Sequence, residues 1–526
     1  MGVAYRFQAL ASALCFPLSA FRLFPNALDG SDFLTYLEAL NSSRVAGTAG
    51  KPRGGYRSVH MSVRVNTPVV FRWRAASLWY LRFARDPLQA IRRSYARHGP
   101  FIKLPYPQVS AKGTPRSLVV AIGPEFNAEV LGNPTAWRPV NIGPPGPNNS
   151  AVRRLARGIL GMTGRRHEHY RRLLVRPLQR SARAPDMIRL AEEEVDSWPI
   201  HQPIDLAAHA RKLVRTFAIG LLFGDDRSHG YPIADMINQG TNCNFSWKIF
   251  ACPLNIPGTP YHRMVRNAVD LESRIIAWAN CKRGQTDNRD LLSIVVNSPD
   301  ENGGPATNED IINHTPTLFG AAFETCQNAL IWTLLLLDQH PQIARDLYDE
   351  LQASGGVRSH QQLMQLPLLG AIVKESMRIL PPVPQQIRVA QHDTTLNGYS
   401  LPILTKVLLS SFLTNREPAL YPDADRFRPD RWATIDPSPY EYSVFSAGPR
   451  GCPGYAFGLA ILKVAIATIV TRYRIALQPR TRIDYRVGVA LTPRRAIPAV
   501  LHRQNGAFAA TSVCGTIRDL VRFPSK

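Results

Sequence analysis

Between Phe445 and Gly454 the chain reads FSAGPRGCPG, and an apolar run of helical period, with Phe457, Ile461, Val464, Ala465 and Thr468 on one face, begins directly behind it. No other segment limits the fold as tightly. The glycines let backbone come close to a flat group, and the N–H groups at the start of the following helix point back at the Cys452 sulfur. A thiolate held in this way can bind iron. Five specified positions, Phe445, Gly448, Arg450, Cys452 and Gly454, would recur by chance in a chain of this length with odds of roughly one in ten thousand, so the pattern calls for a cause. A structural cysteine in a Gly/Pro turn is the plainer alternative, and the loop alone does not exclude it.

The 526 residues suffice for one large domain or two ordinary ones, and 45% hydrophobic content excludes disorder throughout. Lys and Arg number 63 against 39 Asp and Glu, a net charge of +24. Such a balance suits acidic partners, nucleic acid or an anionic membrane, while arginine bias from a GC-rich genome gives the same charge without any function. Seven cysteines, Cys15, Cys243, Cys252, Cys281, Cys326, Cys452 and Cys514, form no C-x-x-C pair. An odd, scattered set fits a reducing compartment, so a soluble, cytoplasmic chain is expected. The apolar stretch Phe7 to Phe21, interrupted by Pro17, is too short to span a bilayer comfortably. It reads as a poor signal-peptide core or as an interfacial segment giving weak peripheral membrane association, and nothing favours either.

Residues 1–74 read as a poorly defined extension with a Gly/Arg/Ser linker near Ala46 to Ser58, and Met61 is an alternative start. Residues 75–503 read as one domain and 504–526 as a tail without signal. Helical patterns run from Ala76 to Arg97, broken at Pro87, and in succession from Gly164 to Trp278. Asn308 is expected to cap a long apolar helix reaching Gln339, kinked at Pro316, and a further helix to cover Leu363 to Leu380. Strand patterns lie at Phe101 to Leu104, Ser117 to Ile122 and Val383 to Leu409. The fold class that follows is mainly helical α+β.

Three further segments carry chemistry. KESMR sets Glu375 and Arg378 at i and i+3, where they can pair, although such pairs are common and contribute little when exposed. GAAFETC sets Glu324 beside Thr325, a carboxylate and a hydroxyl able to relay protons; a threonine bonded one turn back and a glutamate facing water are the plainer readings. GRRHEHYRRLL sets His167 and Arg171 on one helical face, a pair suited to an anionic carboxylate, with His169 on another face. Arginines 153, 154, 157, 165, 166, 172 and 176 crowd the same region. Few aromatics interleave them and no nucleic-acid module is present, so a nucleic-acid partner is not expected.

FSAGPRGCPG resembles the cysteine-ligand loop of the cytochrome P450 family, the haem-thiolate monooxygenases, and matches its Phe-x-x-Gly-x-Arg-x-Cys-x-Gly pattern at every fixed position. The order of segments from Trp79 to Arg503 is similar to the family's as well. The resemblance implies haem b between the long helix and the helix after the cysteine loop. Its iron would be ligated by Cys452, whose thiolate favours O–O cleavage. It implies a catalytic pair, Glu324 and Thr325, with Ala322 where the family usually has glycine. It makes His167, Arg171, Arg388 and Arg450 partners of the haem propionates, with Phe445 and Gly454 also at the cofactor. Glu375, Arg378 and Arg431, the last from FRPDRW, would form a buried ionic triad bracing the loop.

The activity implied is insertion of one atom of O2 into a C–H bond, or epoxidation, of an apolar small molecule. Electrons would come from a separate acidic donor of ferredoxin or flavodoxin type, or from a reductase, because no flavin or nicotinamide fingerprint accompanies the domain. A peroxide-dependent hydroxylase or a haem-thiolate isomerase is the alternative, with a haem sensor third. The substrate pocket would be lined near Gly143, Phe250, Phe323, Val383 to Gln386 and Val489, none of which has a recognisable signature.

Overall fold

The structure is a computed structural model, and it describes residues 67–109, 115–140, 146–182, 186–244, 249, 253–285 and 289–524. The apolar stretch Phe7 to Phe21, the linker, the Met61 start and the pocket positions Gly143 and Phe250 lie outside the described residues. Helices dominate, as the patterning requires. The first pair, Trp73–Arg85 and Pro87–His98, meets at Asp86, whose side chain accepts from the Gln89 N–H at 3.2 Å while Pro87 opens the second helix.

The long helix spans Asn308–Gln339. Its cap is Thr307 rather than Asn308: Thr307 and Asp310 form a reciprocal capping box that satisfies two otherwise unpaired donors. The helix is assigned without interruption across Pro316 and is buried on all sides from Cys326 to Gln339, as an all-apolar helix at the centre of a large core should be. The segment expected as one helix from Leu363 to Leu380 is two, His360–Gln365 and Pro367–Ile379, because Pro367 cannot continue the first and starts the second well. Behind the cysteine loop, Tyr455–Arg472 is long and apolar enough to cross a bilayer, but here it is a core helix, buried from Phe457 to Val470 except at Leu459.

Six strands form the main sheet: β1 Val69–Val70, β2 Phe101–Val109, β3 Pro115–Ala121, β4 Trp137–Pro139, β5 Gln386–Ala390 and β6 Lys406–Leu409. Their spatial order is β1-β2-β3-β6-β5-β4. β2 and β3 pair antiparallel from Phe101 opposite Ala121, and β3 runs parallel to β6 with Leu118 opposite Lys406. The antiparallel pair β5–β6, with Arg388 opposite Val407, fixes the strand that carries Arg388 toward the site.

The segment after Arg503 packs against the rest of the chain. Val513–Cys514 pairs with Thr481–Arg482, and Ile517, Leu520, Val521 and Phe523 are buried in the main core. Its backbone is tied to distant elements: the Leu520 carbonyl accepts from Arg416 at 2.9 Å, and the Thr511 carbonyl from Gln339 at 2.7 Å.

Candidate active site

The cysteine loop closes on itself. The Cys452 N–H donates to the Phe445 carbonyl at 2.8 Å, and the Gly451 N–H to that of Gly448 at 3.0 Å. Gly448 has φ +66°, and a Cβ there would overlap the Leu131 carbonyl oxygen, so this position requires glycine on two grounds. Gly454 has an ordinary φ and immediately precedes the helix; the Phe445 ring meets Tyr455 edge-on at 4.7 Å. Cys452 is open at its surface while its sulfur lies deep among protein atoms. Burial pushes the thiol's pKa up, and the Gly454 N–H and the Arg171 charge oppose that rise.

Four cationic or basic side chains converge beside it. Arg171, from the helix Gly164–Ser181, donates to the Gly451 carbonyl at 2.7 Å, and Arg450 donates to the Met162 carbonyl. Arg388 donates to Gln386 Oε1 at 3.0 Å, an atom that also accepts from Ser446 Oγ at 3.1 Å. His167 is buried, and burial with the charges of Arg450 and Arg171 lowers its pKa to about 4. Burial and then Arg450 push the Arg388 guanidinium down to about 10. Burial lowers Arg450 also, with Arg171 adding to it. Among the described residues no carboxylate pairs with any of the four. Like charges brought this close out of water call for an anion.

Glu375, Arg378 and Arg431 form a buried ionic cluster. Glu375 and Arg378 are both 0% exposed and paired at 2.8 Å, and Arg431 Nε reaches Glu375 at 3.1 Å. Two further donors complete the carboxylate, the Arg428 N–H at 2.9 Å and Trp432 Nε1 at 3.1 Å. The connection to the loop runs through Asn415: its carbonyl accepts from Arg378 at 2.9 Å and its Oδ1 from the Ser443 N–H at 3.1 Å, two residues before Phe445. Trp432 and Asn415 are site-supporting residues that the motif reading missed, and only the Trp of FRPDRW left a trace in the sequence.

In its middle the long helix opens at Gly320 to Ala322 and at Glu324 and Thr325, between the buried Phe319 and Cys326. It is held against the helix Tyr455–Arg472 at Cys326, where a Cβ on Gly458 would stand 3.7 Å from the Cys326 sulfur. Cys326, the neighbour of Thr325, is near enough to Cys452 for that thiol to add to the rise in its pKa, which burial dominates. Thr325 Oγ1 donates to the Ala321 carbonyl at 2.8 Å, which spends its proton on the helix and leaves its lone pairs outward as acceptors. Burial raises the Glu324 pKa, against the Arg486 charge. Phe323 is buried and stacks on Phe319 at 5.3 Å. His169 Nε2 donates to the Pro299 carbonyl at 2.9 Å at the surface, apart from the cluster.

Residues 89–497 match the cytochrome P450 family. The chain belongs to the cytochrome P450 family. Cytochromes P450 are haem-iron monooxygenases, so this chain is an enzyme of that class, and the unpaired cations at Arg171, Arg388 and Arg450 fit the carboxylates of a haem. Cyclooctatin synthase of Streptomyces melanosporofaciens is 29% identical over 442 residues, covering 80% of this chain and 92% of that protein. Beta-amyrin 6-beta-monooxygenase of Solanum lycopersicum is 25% identical over 330 residues, 60% of this chain and 68% of that one. Among solved structures, the heme domain of cytochrome P450DA superposes with a TM-score of 0.67 at 20% identity, covering 80% of this chain and 93% of that one, which establishes the fold.

Proposed function

We propose that this P450 inserts one atom of O2 into a C–H bond, or epoxidises, an apolar small molecule, with electrons from a separate acidic redox protein. Substrate, O2, two electrons and two protons give hydroxylated product and water. The observation that carries the reading is the convergence of Cys452 with four basic side chains that have no carboxylate partner among the described residues. Haem held there would supply oxygen activation at its iron. Cys452 would be the thiolate ligand, aided by the Gly454 N–H and the N-terminus of the following helix. Arg171, Arg388 and Arg450 would hold the propionates with neutral His167 as a hydrogen-bond partner. Phe445 and Gly454 would pack at the cofactor. Glu324 would carry protons from solvent and Thr325 would orient the group that receives them.

Electron delivery is proposed at the exposed face of Gly164–Ser181. Arg154, Arg157 and Arg166 are committed to Glu272, Glu309 and Asp310, whereas Arg165, Arg172 and Arg176 are exposed on one helical face. An acidic donor would be steered there in a salt-dependent way. The ligand assignment is tested by Cys452→Ser: the red-shifted Soret band of the ferrous-CO complex is expected to vanish. A variant that keeps the band overturns the proposal.

A further inference from the structure

Beside Glu324, the long helix carries a polar side chain that its core position does not explain. Gln327 is 9% exposed, and its Oε1 is buried without a hydrogen-bond partner among the described residues. Leaving such an oxygen unpaired costs about 1–3 kcal/mol, so the position calls for a donor. The neighbouring side-chain donors on the helix are directed at backbone carbonyls and not at Gln327 Oε1. Asn328 Nδ2 donates to the Glu324 carbonyl at 2.7 Å, and Thr325 Oγ1 to that of Ala321 at 2.8 Å.

Glu324 supplies the other half. It stands three residues before Gln327, the spacing at which helical side chains meet. Burial favours the protonated carboxyl, with Arg486 the opposing charge, and a protonated carboxyl has one O–H in need of an acceptor. A lone acceptor and a lone donor are thus neighbours on one helix. We propose that Gln327 is a positioning residue for Glu324: its Oε1 accepts the carboxyl O–H of Glu324, directly or across one internal water, and holds the proton in a fixed rotamer. No bond is broken in this arrangement. It makes the protonated acid a defined state of the site, from which the proton passes toward Thr325. That consequence rests on the reading of Glu324 as a proton carrier; the hydrogen bond itself does not.

The test is infrared spectroscopy of the ferric holoprotein as a function of pH, with the protonated-carboxyl band of Glu324 identified by its loss in Glu324→Gln. In Gln327→Leu the band should move to higher wavenumber, because the O–H has lost its acceptor, and its titration midpoint should fall, because the protonated form has lost a stabilising bond. Gln327→Met, which keeps side-chain length without the acceptor, should do the same should the leucine variant not fold. A band unchanged in position and midpoint overturns the proposal. Thermal unfolding of Gln327→Leu, Glu324→Leu and the double variant gives a second reading: coupling is expected, and strict additivity counts against the bond. Product yield per electron consumed separates the two ideas. If Glu324→Gln leaves it unchanged, the proton-carrying role fails, while the bond to Gln327 stands or falls on the infrared band.

Discussion

Arg388 holds a charge where the folded chain alone would rather have none. Burial and the neighbouring Arg450 lower its pKa from the ordinary guanidinium range to about 10. For a base whose folded pKa is depressed, the charged form costs stability. The cost is fully present below about pH 10 and is relieved only as pH rises above that toward the ordinary guanidinium range. At about 1.4 kcal/mol per unit, a partly exposed guanidinium bears on the order of 1–3 kcal/mol. A bound propionate reverses that sign. Arg388→Met is therefore expected to raise the thermal midpoint of the haem-free protein while lowering its affinity for haem, measured by unfolding and by haem titration on the same variant. A haem-free variant less stable than its parent would show that the cation is not under strain. His167 obeys the same rule from the other side. With its pKa at about 4 it is neutral through the physiological range and serves as a hydrogen-bond partner rather than as a charge.

At the scale of elements, the helix Pro367–Ile379 matters through what it holds together. Glu375 accepts from Arg378, Arg431, Trp432 and the Arg428 backbone, and Arg378 passes the connection through Asn415 to Ser443 at the start of the cysteine loop. Glu375→Ala leaves two buried guanidinium groups uncompensated, a loss of about 3–5 kcal/mol. The expected result is a protein purified with little or no haem, read by absorbance against protein concentration; full haem content in the variant would remove the brace from the account. Glu375, Arg378 and Arg431 were legible as a triad only through the resemblance to the family; the spacing alone offered no more than a common i, i+3 pair of Glu375 and Arg378. Asn415 and the Arg428 N–H were not, since only the chain's return between residues 409 and 431 places them, and no spacing encodes that return. Pro87 marked a helix boundary because proline acts locally through a missing N–H and a clash; the same signal at Pro367 was passed over when Leu363 to Leu380 was read as one helix. The capping box at Thr307 was displaced by one residue, since Thr307 and Asn308 are both good caps and only the reciprocal bond to Asp310 separates them.

Over the whole molecule, the last twenty residues show what periodicity cannot report. Ile517, Leu520, Val521 and Phe523 follow no strand or helix repeat, because a short 3-10 turn at Thr516–Asp519 and irregular chain carry them into the core. The segment's hydrogen-bond partners lie far away in sequence: Arg92 reaches the Asp519 carbonyl at 2.8 Å, Arg416 that of Leu520, and the Arg522 N–H donates to the Asp425 carbonyl at 2.7 Å. Gly515, with φ +99°, lets this chain pass the Ile483 carbonyl, where a Cβ would stand 2.5 Å away. The segment therefore ties the first helices to the turn after the brace helix. Burying four large apolar side chains contributes roughly 1.5–3 kcal/mol each, a sum comparable to the about 5–15 kcal/mol by which folded proteins are stable. Removing residues 505–526 should accordingly cost the protein its cooperative fold, although every proposed haem and proton-relay residue remains in the chain. Near-UV circular dichroism and thermal unfolding of the truncated protein check this. A truncated form with the parent's sharp transition and midpoint would mean that the core closes without its C-terminal segment.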